Sequence, residues 1–194
     1  MKVAKLQKIY SNLQDAFGRA EAVYGPVNEW CTDLINDNCE SRAFERLTEF
    51  MKYSKKCTVT DCAAVFDKGT GSEGLMEVTA KYNVILADGS IVGIKCYSSS
   101  VSTNALVLRV DIDGLNKGPN TACKDYFSFR YDTYENILTY DKAETIGYDL
   151  NHSSSHCATW VMRNGNLDNL KVSNDGKCPD GKTVLDWTTN TTCK

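Results

Sequence analysis

The chain has 194 residues, of which 42% are hydrophobic and 24% are charged, and 22 Lys and Arg residues against 25 Asp and Glu residues give a net charge of −3. These values are close to globular averages and exclude a disordered or fibrous protein, and the mixed charges provide no basic footprint for nucleic acid. No apolar run approaches the roughly 20 residues that cross a bilayer, so we expect the chain as given to be soluble.

The first predicted element is a long amphipathic helix over residues 2–24. Its apolar residues recur at spacings of three and four, which predicts one buried stripe along the helix. Gly25 and Pro26 end the helix, because Gly suits a left-handed cap and Pro cannot continue the hydrogen-bond ladder. A second, short helix is predicted over residues 42–53, with Phe44, Leu47 and Phe50 on one face.

Between residues 76 and 132 the apolar period changes to two, which predicts an antiparallel sheet. Alternating apolar residues lie at 78–86, 92–96, 106–112 and 127–131, and Asp88-Gly89-Ser90 forms a hairpin turn between the first two runs. Short turns between consecutive strands predict a meander with one covered face and one solvent-exposed face.

Residues 133–194 show no long periodic segment. We expect an irregular region there, with a short helix or turn that points Trp160 inward. The predicted fold class is therefore α+β, as a single domain over 1–194 in which the helix stripe and the covered face of the sheet bury each other.

Nine cysteines are the unusual feature of the composition. They are spread along the chain without a Cys-x-x-Cys pair, which favours disulfides in an oxidising compartment over a structural zinc site. An odd number leaves at least one thiol without an intramolecular partner. The chain begins MKVAKLQKIYSNLQ, without an apolar export signal, so either a signal has been removed or the cysteines are reduced in the cytosol. The first alternative is favoured.

Four segments resemble, in the same order, parts of type IV pilin-like proteins and type II secretion pseudopilins. The helix KLQKIYSNLQDAFGRAEAVYG resembles the exposed half of their N-terminal helix, and NVILADGSIVGI resembles a strand–turn–strand of such subunits from gut bacteria. RVDIDGLNKGPNTACKDYFSFR and CATWVMRNGNLDNLK resemble two further segments that these subunits carry. The leader junction and hydrophobic half-helix of the family are missing here, which we interpret as truncation to an ectodomain.

The resemblance implies a structural, non-catalytic bacterial protein, a subunit of a type IV pilus or a type II secretion pseudopilus. Its partners would be other pilin or pseudopilin subunits. It would be extracytoplasmic: anchored in the inner membrane by the missing helix before assembly, then part of a periplasmic or cell-surface filament. If helix burial drives assembly, the expected residues are Leu6, Ile9, Tyr10, Leu13 and Phe17, which in an isolated domain serve mainly the core. The alternative is a secreted disulfide-rich binding module that recognises a surface glycan or protein.

Asp111, Asp113 and Asn116, with Asp125 downstream, bring together the oxygen ligands that calcium prefers. Some pseudopilins of the resembled family hold calcium in a loop of the β-region. The competing interpretation is an Asx turn, in which these side chains bond their own backbone. Apart from this candidate calcium ion, no cofactor is predicted.

Evidence for other chemistry is weaker. His152, His156 and Cys157 could bind zinc if they were helical, but three consecutive serines favour an exposed loop there. No GxSxG or HExxH motif is present, and no catalytic residue is predicted.

Short loops and the family placement of paired cysteines favour the disulfides Cys57–Cys62 and Cys31–Cys39, with Cys178–Cys193 third. Two other cysteines are candidate unpaired thiols. One is Cys96, on a strand face with other buried residues, and the other is Cys123, where the family often has a small residue.

Overall fold

The computed structural model describes residues 2–30, 37–57, 82–98, 104–114, 117, 121–133, 135, 137–139 and 154–193. Within these residues the chain is α+β. The helices are α1 (Lys2–Tyr24), α2 (Val27–Trp30), α3 (Asp37–Thr48), α4 (Ser154–Asn164) and a 3₁₀ helix (Asp168–Lys171). The strands are β1 (Tyr53–Cys57), β2 (Tyr82–Leu86), β3 (Ile91–Ser98), β4 (Asn104–Asp111), β5 (Tyr126–Asp132) and β6 (Ile137–Thr139).

The six described strands form one antiparallel sheet in the order β1-β2-β3-β4-β5-β6, so each strand pairs with its neighbours in sequence. The predicted hairpin at Asp88-Gly89-Ser90 joins β2 to β3. The N–H of Leu86 donates to the carbonyl of Ser90 at 2.7 Å, and Gly89 adopts a φ of +85°, which Gly reaches at no steric cost. The predicted meander is confirmed for these strands.

One face of the sheet carries three rows of apolar side chains that run across the strands. Their members pair in register and are all buried: Val84, Val92, Val110 and Phe127 in the first row, Ile94, Leu108 and Phe129 in the second, and Cys96, Leu106 and Tyr131 in the third. This face is the covered face that the alternation predicts.

Helix α1 packs its buried stripe on this covered face, as expected. The ring of Phe17 stacks on Tyr131 with centroids 4.1 Å apart, and Tyr10 contacts Phe129 at 5.1 Å. The hydroxyl of Tyr10 donates to the carbonyl of Leu138 at 2.9 Å. Aromatic pairs of this kind stabilise by about 0.5–1.5 kcal/mol beyond the burial of their area, so α1 is bound to β5 and β6 by specific contacts.

The second helix and the first strand differ from the prediction of a helix over 42–53. Helix α3 begins earlier, at Asp37, and ends at Thr48, where the N–H groups of Phe50 and Met51 bond three residues back. Tyr53 starts β1 instead, and the burial of β1 does not alternate along YSKKC. A strand without alternation carries no period-two signal, which is why the sequence pattern misses it.

The opposite face of the sheet is not solvent-exposed, and the prediction of a wet face is wrong at four described positions. Ile91 is fully buried, and Asn83, Arg109 and Ser128 are 1%, 7% and 8% exposed. Residues 133–194 are also more regular than expected, because they contain β6, α4 and the 3₁₀ helix. Trp160 lies in α4 and is fully buried, as predicted.

Candidate functional site

The residues expected to drive assembly all lie on the inward side of α1. Leu6 and Leu13 are fully buried, Ile9 and Phe17 are 1% and 2% exposed, and Tyr10 packs against the same core. These five side chains serve the core of the chain, so a neighbouring molecule could reach α1 only through its other side.

The solvent-exposed side of α1 includes a stripe of uncharged residues. We define the outer face of α1 as the stripe formed by six exposed uncharged residues, which are Ala4, Gln7, Ser11, Gln14, Gly18 and Ala22. Exposed helix faces are usually lined with charged residues, but here Lys8, Asp15 and Arg19 lie to one side. The spacing of seven residues between Ala4, Ser11 and Gly18 can be seen in the sequence. The apolar periodicity, however, predicts only the buried stripe on the opposite side of α1.

Gly18 has no structural role within the described part of the chain. A Cβ built on Gly18 would meet no atom within 4 Å, and its φ is not positive. Gly in a helix interior costs about 1 kcal/mol relative to Ala. The packing of the described residues therefore does not explain this glycine.

The acidic residues predicted as calcium ligands are partly brought together. Asp111 ends β4, and its Oδ1 accepts hydrogen bonds from the N–H groups of Asp113 and Gly114, both at 3.0 Å. Asp125 lies on the loop before β5, where its carbonyl accepts the N–H of Ile112 at 2.8 Å and its Oδ1 accepts the N–H of Thr121 at 2.6 Å. The Asx turn of the competing interpretation is thus present at Asp111.

Burial perturbs the titration of this loop. It raises the pKa of Asp111 to about 6, and the neighbouring Asp113 carboxyl adds to the increase. Burial also raises the pKa of Asp125, while the charge of Lys2 acts in the opposite direction. Asp111 is 1% exposed, and neither its Oδ2 nor the Oδ1 of Asp113 has a hydrogen-bond partner in the described structure.

These oxygens do not amount to a complete ion site. Within the described residues, no group of three or more His, Cys, Asp or Glu side chains could hold a metal ion, and Asn116 lies outside those residues. Calcium needs six to eight oxygen ligands. Calcium binding at Asp111 and Asp113 stays a prediction that a calcium titration can test.

The disulfides correct two of the predictions. Cys39 pairs with Cys96, not with Cys31, and joins α3 to β3. Cys123 pairs with Cys157 and joins the loop before β5 to α4. Neither Cys96 nor Cys123 is therefore an unpaired thiol. A strand and a distant helix that pack together bring cysteines close whatever the length of the loop between them, which sequence spacing does not reveal.

The remaining cysteines agree with the predictions or lie beyond the described residues. Cys178 and Cys193 form the predicted disulfide, with Cα atoms 5.5 Å apart. Cys57 is also disulfide-bonded, but Cys31 and Cys62 lie outside the described residues. Three disulfides within the described ranges are typical of an oxidising environment outside the cytoplasm.

The zinc alternative loses its sulfur ligand, because Cys157 is oxidised in a disulfide and zinc binds thiolate. His156 lies in α4, and His152 lies outside the described residues.

Two cavities beside α1 were not predicted from the sequence. A cavity of about 460 Å³ is lined by Lys2, Lys5 and Lys117 together with Asp88 and Asp113. A second cavity, of about 670 Å³, runs along α1 on an apolar floor that includes Leu13, Phe50 and Leu86. Lys117 is far from Lys2 and Lys5 in sequence, so only the fold shows that the three lysines share one end of the molecule.

The chain matches no protein-family model, no curated protein and no solved structure. The resemblance to pilin-type subunits therefore rests on the four sequence segments. No helix within the described residues combines the length and apolar character needed to cross a membrane.

Proposed function

We propose that this chain is a non-catalytic structural subunit of a type IV pilus or a type II secretion pseudopilus, and that it assembles through the outer face of α1. The observation that carries the proposal is Gly18 on the outer face, because a helical glycine has a cost in stability and Gly18 has no packing role among the described residues. The separation of two packed helices, 8–10 Å, depends on the side chains at the contact. Small residues at Ala4, Ser11 and Gly18 suit a close approach by another helix.

The division of α1 into two sides supports this function. The inner stripe is occupied by the core of the chain, as the burial of Leu6 and Leu13 illustrates. None of the described residues buries the outer face, which extends along the 23-residue helix over about 34 Å. In this proposal the complete protein is anchored in a membrane by a further hydrophobic helix before assembly, and the disulfides suit a filament outside the cytoplasm.

The test places a photo-crosslinking amino acid on the outer face. Benzoylphenylalanine replaces Ser11 in the complete protein, which is produced from its natural gene in its own cells and irradiated. We expect an adduct between two copies of this protein or with another filament subunit. The same probe at Lys182, in the C-terminal region, serves as the position control. Failure to crosslink to any subunit from Ser11 would refute the proposal, and an adduct with an unrelated surface protein would favour a secreted binding module.

A substitution provides the matched functional test. Gly18→Leu should leave the isolated chain at least as stable as the wild type, because the site is open and Leu is a better helix former than Gly by up to about 1 kcal/mol. It should nevertheless abolish the Ser11 adduct, since the bulk prevents close helix packing. Asn12→Leu, an equally exposed substitution to one side of the outer face, should retain the adduct. Equal adduct yields for the two variants would contradict the proposed role of the outer face.

A further inference from the structure

Five lysines gather at the end of the fold where α1 begins. Lys2, Lys5 and Lys8 lie on the first turns of α1, while Lys117 and Lys124 lie between β4 and β5. The Nζ atom of Lys2 donates to the carbonyl of Lys124 at 2.8 Å. Lys117 lines the same cavity as Lys2 and Lys5. We call this group of five lysines the basic end.

Four of the five lysines at the basic end form no close ion pair among the described residues. Lys5 approaches Asp88, with Nζ 4.0 Å from Oδ1. Within the part of the chain that the structure describes, the other four lysines have no carboxylate oxygen within 4.0 Å of Nζ. These four side chains are exposed.

The carboxylates nearby do not reverse the sign of this surface. Asp111 and Asp125 are 1% and 5% exposed, and Asp113 is half-buried. Burial would raise the pKa of Asp88, but hydrogen bonds from Ser90 and the charges of Lys5 and Lys8 lower it overall. The basic end is thus a positive surface on a chain whose net charge is −3, created by placement rather than by an excess of basic residues.

The composition of the basic end indicates the kind of partner. It consists of lysines, which are flexible point charges, whereas the planar guanidinium of arginine suits bidentate recognition of a defined phosphate. No aromatic side chain lines the cavity there, so the stacking platform that single-stranded nucleic acids need is absent from the described cavity wall. Several mobile cations around the start of a helix fit a laterally diffuse layer of negative charge, such as anionic lipid headgroups.

We propose that the basic end rests against the anionic headgroups of a membrane surface, with α1 rising away from it. This inference builds on the proposed function, in which a membrane anchor precedes α1. Lys8 lies about 9 Å further along the helix than Lys2, within reach of a headgroup layer for a long side chain. The subunit would then stand in a defined orientation on the membrane before it joins a filament.

The test is flotation of the full chain with vesicles of phosphatidylcholine alone or mixed with an equal part of phosphatidylglycerol. We expect binding to the mixed vesicles only, and loss of binding at high salt because exposed charges are screened. Each lysine near an anionic surface contributes about fivefold in partitioning. The triple variant Lys8→Gln, Lys117→Gln and Lys124→Gln should therefore bind about a hundredfold more weakly.

The matched control removes the same charge elsewhere. Lys52, Lys55 and Lys182 are also exposed and have no ion pair among the described residues, and their triple Gln variant should bind like the wild type. Absence of binding by the wild type, or equal loss in both variants, would overturn the inference. So would stabilisation by inorganic phosphate that depends on the basic end without any vesicle binding, since this would indicate a small-anion site.

The two proposals fail separately. Vesicle binding without a Ser11 adduct would contradict assembly through α1 and leave the basic end as a membrane contact. A Ser11 adduct without vesicle binding would support assembly through α1 and would contradict the membrane contact at the basic end.

Discussion

The substitution Asp111→Asn should stabilise the protein at neutral pH. Asn retains an Oδ1 that can accept the N–H groups of Asp113 and Gly114, which Asp111 accepts at 3.0 Å. Its amide group replaces Oδ2, which has no hydrogen-bond partner in the described structure, and can donate to the unpartnered Oδ1 of Asp113. The change therefore removes a buried negative charge and satisfies two polar atoms.

The magnitude follows from the pKa of Asp111, which burial, with the Asp113 carboxyl adding to it, raises from 3.8 to about 6. Because the folded state holds the proton more tightly than the unfolded state, the free energy of unfolding falls as pH rises between these two values. The full difference between the two pKa values corresponds to about 3 kcal/mol of unfolding free energy at neutral pH. Solvent at the loop screens part of it, so we expect Asp111→Asn to add about 1–2 kcal/mol.

The assay is urea unfolding of the wild type and the variant at pH 7 and at pH 5, in buffer containing a chelator. The difference between the two proteins should be largest at pH 7 and should shrink at pH 5, where Asp111 is largely protonated. Comparing the difference removes the contributions of all other titrating groups. A difference that does not change with pH, or a variant less stable than the wild type at pH 7, would refute this account of Asp111.

Calcium provides a second arm of the same experiment. If calcium binds the ionised carboxylates of Asp111 and Asp113, millimolar calcium should raise the melting temperature of the wild type at pH 7 and should have no effect on Asp111→Asn. No change in the wild type at millimolar calcium would end the calcium prediction, and the Asx turn alone would then describe this loop.

Two further predictions concern the core and the disulfides. Tyr131→Phe should lower the free energy of unfolding by about 1.5–3 kcal/mol, because the Tyr131 hydroxyl donates to Glu21 at 2.7 Å and the pKa of Tyr131 is raised by burial and by that carboxylate. Urea unfolding measures the effect, and an unchanged midpoint of the urea transition would contradict this prediction. Replacing both Cys39 and Cys96 by Ser removes a cross-link across 57 residues and should lower the free energy of unfolding by about 4 kcal/mol. Replacing Cys178 and Cys193, which close a loop of 15 residues, should lower it by about 3 kcal/mol. The reverse order of the two variants in thermal unfolding would contradict the loop-entropy argument.

The sequence predicts those elements whose side chains face two different environments. Helix α1 carries its buried apolar residues on one side, and strands β3, β4 and β5 carry most of theirs on the covered face, so these residues repeat with the period of the backbone. Strand β1 lies at the edge and shows no alternation, and the start of α3 carries polar residues that do not mark a helix. Local periodicity cannot identify elements that depend on their neighbours.

The candidate sites show the same division. The acidic loop at Asp111 is recognisable because its residues are adjacent in sequence, although which oxygens lack partners depends on the fold. The pairing of Cys39 with Cys96 and the gathering of Lys2 with Lys117 depend on contacts between distant segments. Such contacts follow from the packing of α1 and α3 on the sheet, which no single stretch of sequence encodes.

The disulfides divide the helices into two mechanical classes. Cys39–Cys96 and Cys123–Cys157 attach α3 and α4 covalently to the sheet or to the loop before β5. Helix α1 contains no cysteine, and side-chain packing and hydrogen bonds, such as Phe17 on Tyr131, connect it to the sheet. A pulling force applied along α1 would therefore be opposed by many weak contacts, which can re-form after rupture. The disulfide-bonded part of the fold would keep its shape, and α1 could pack on it again.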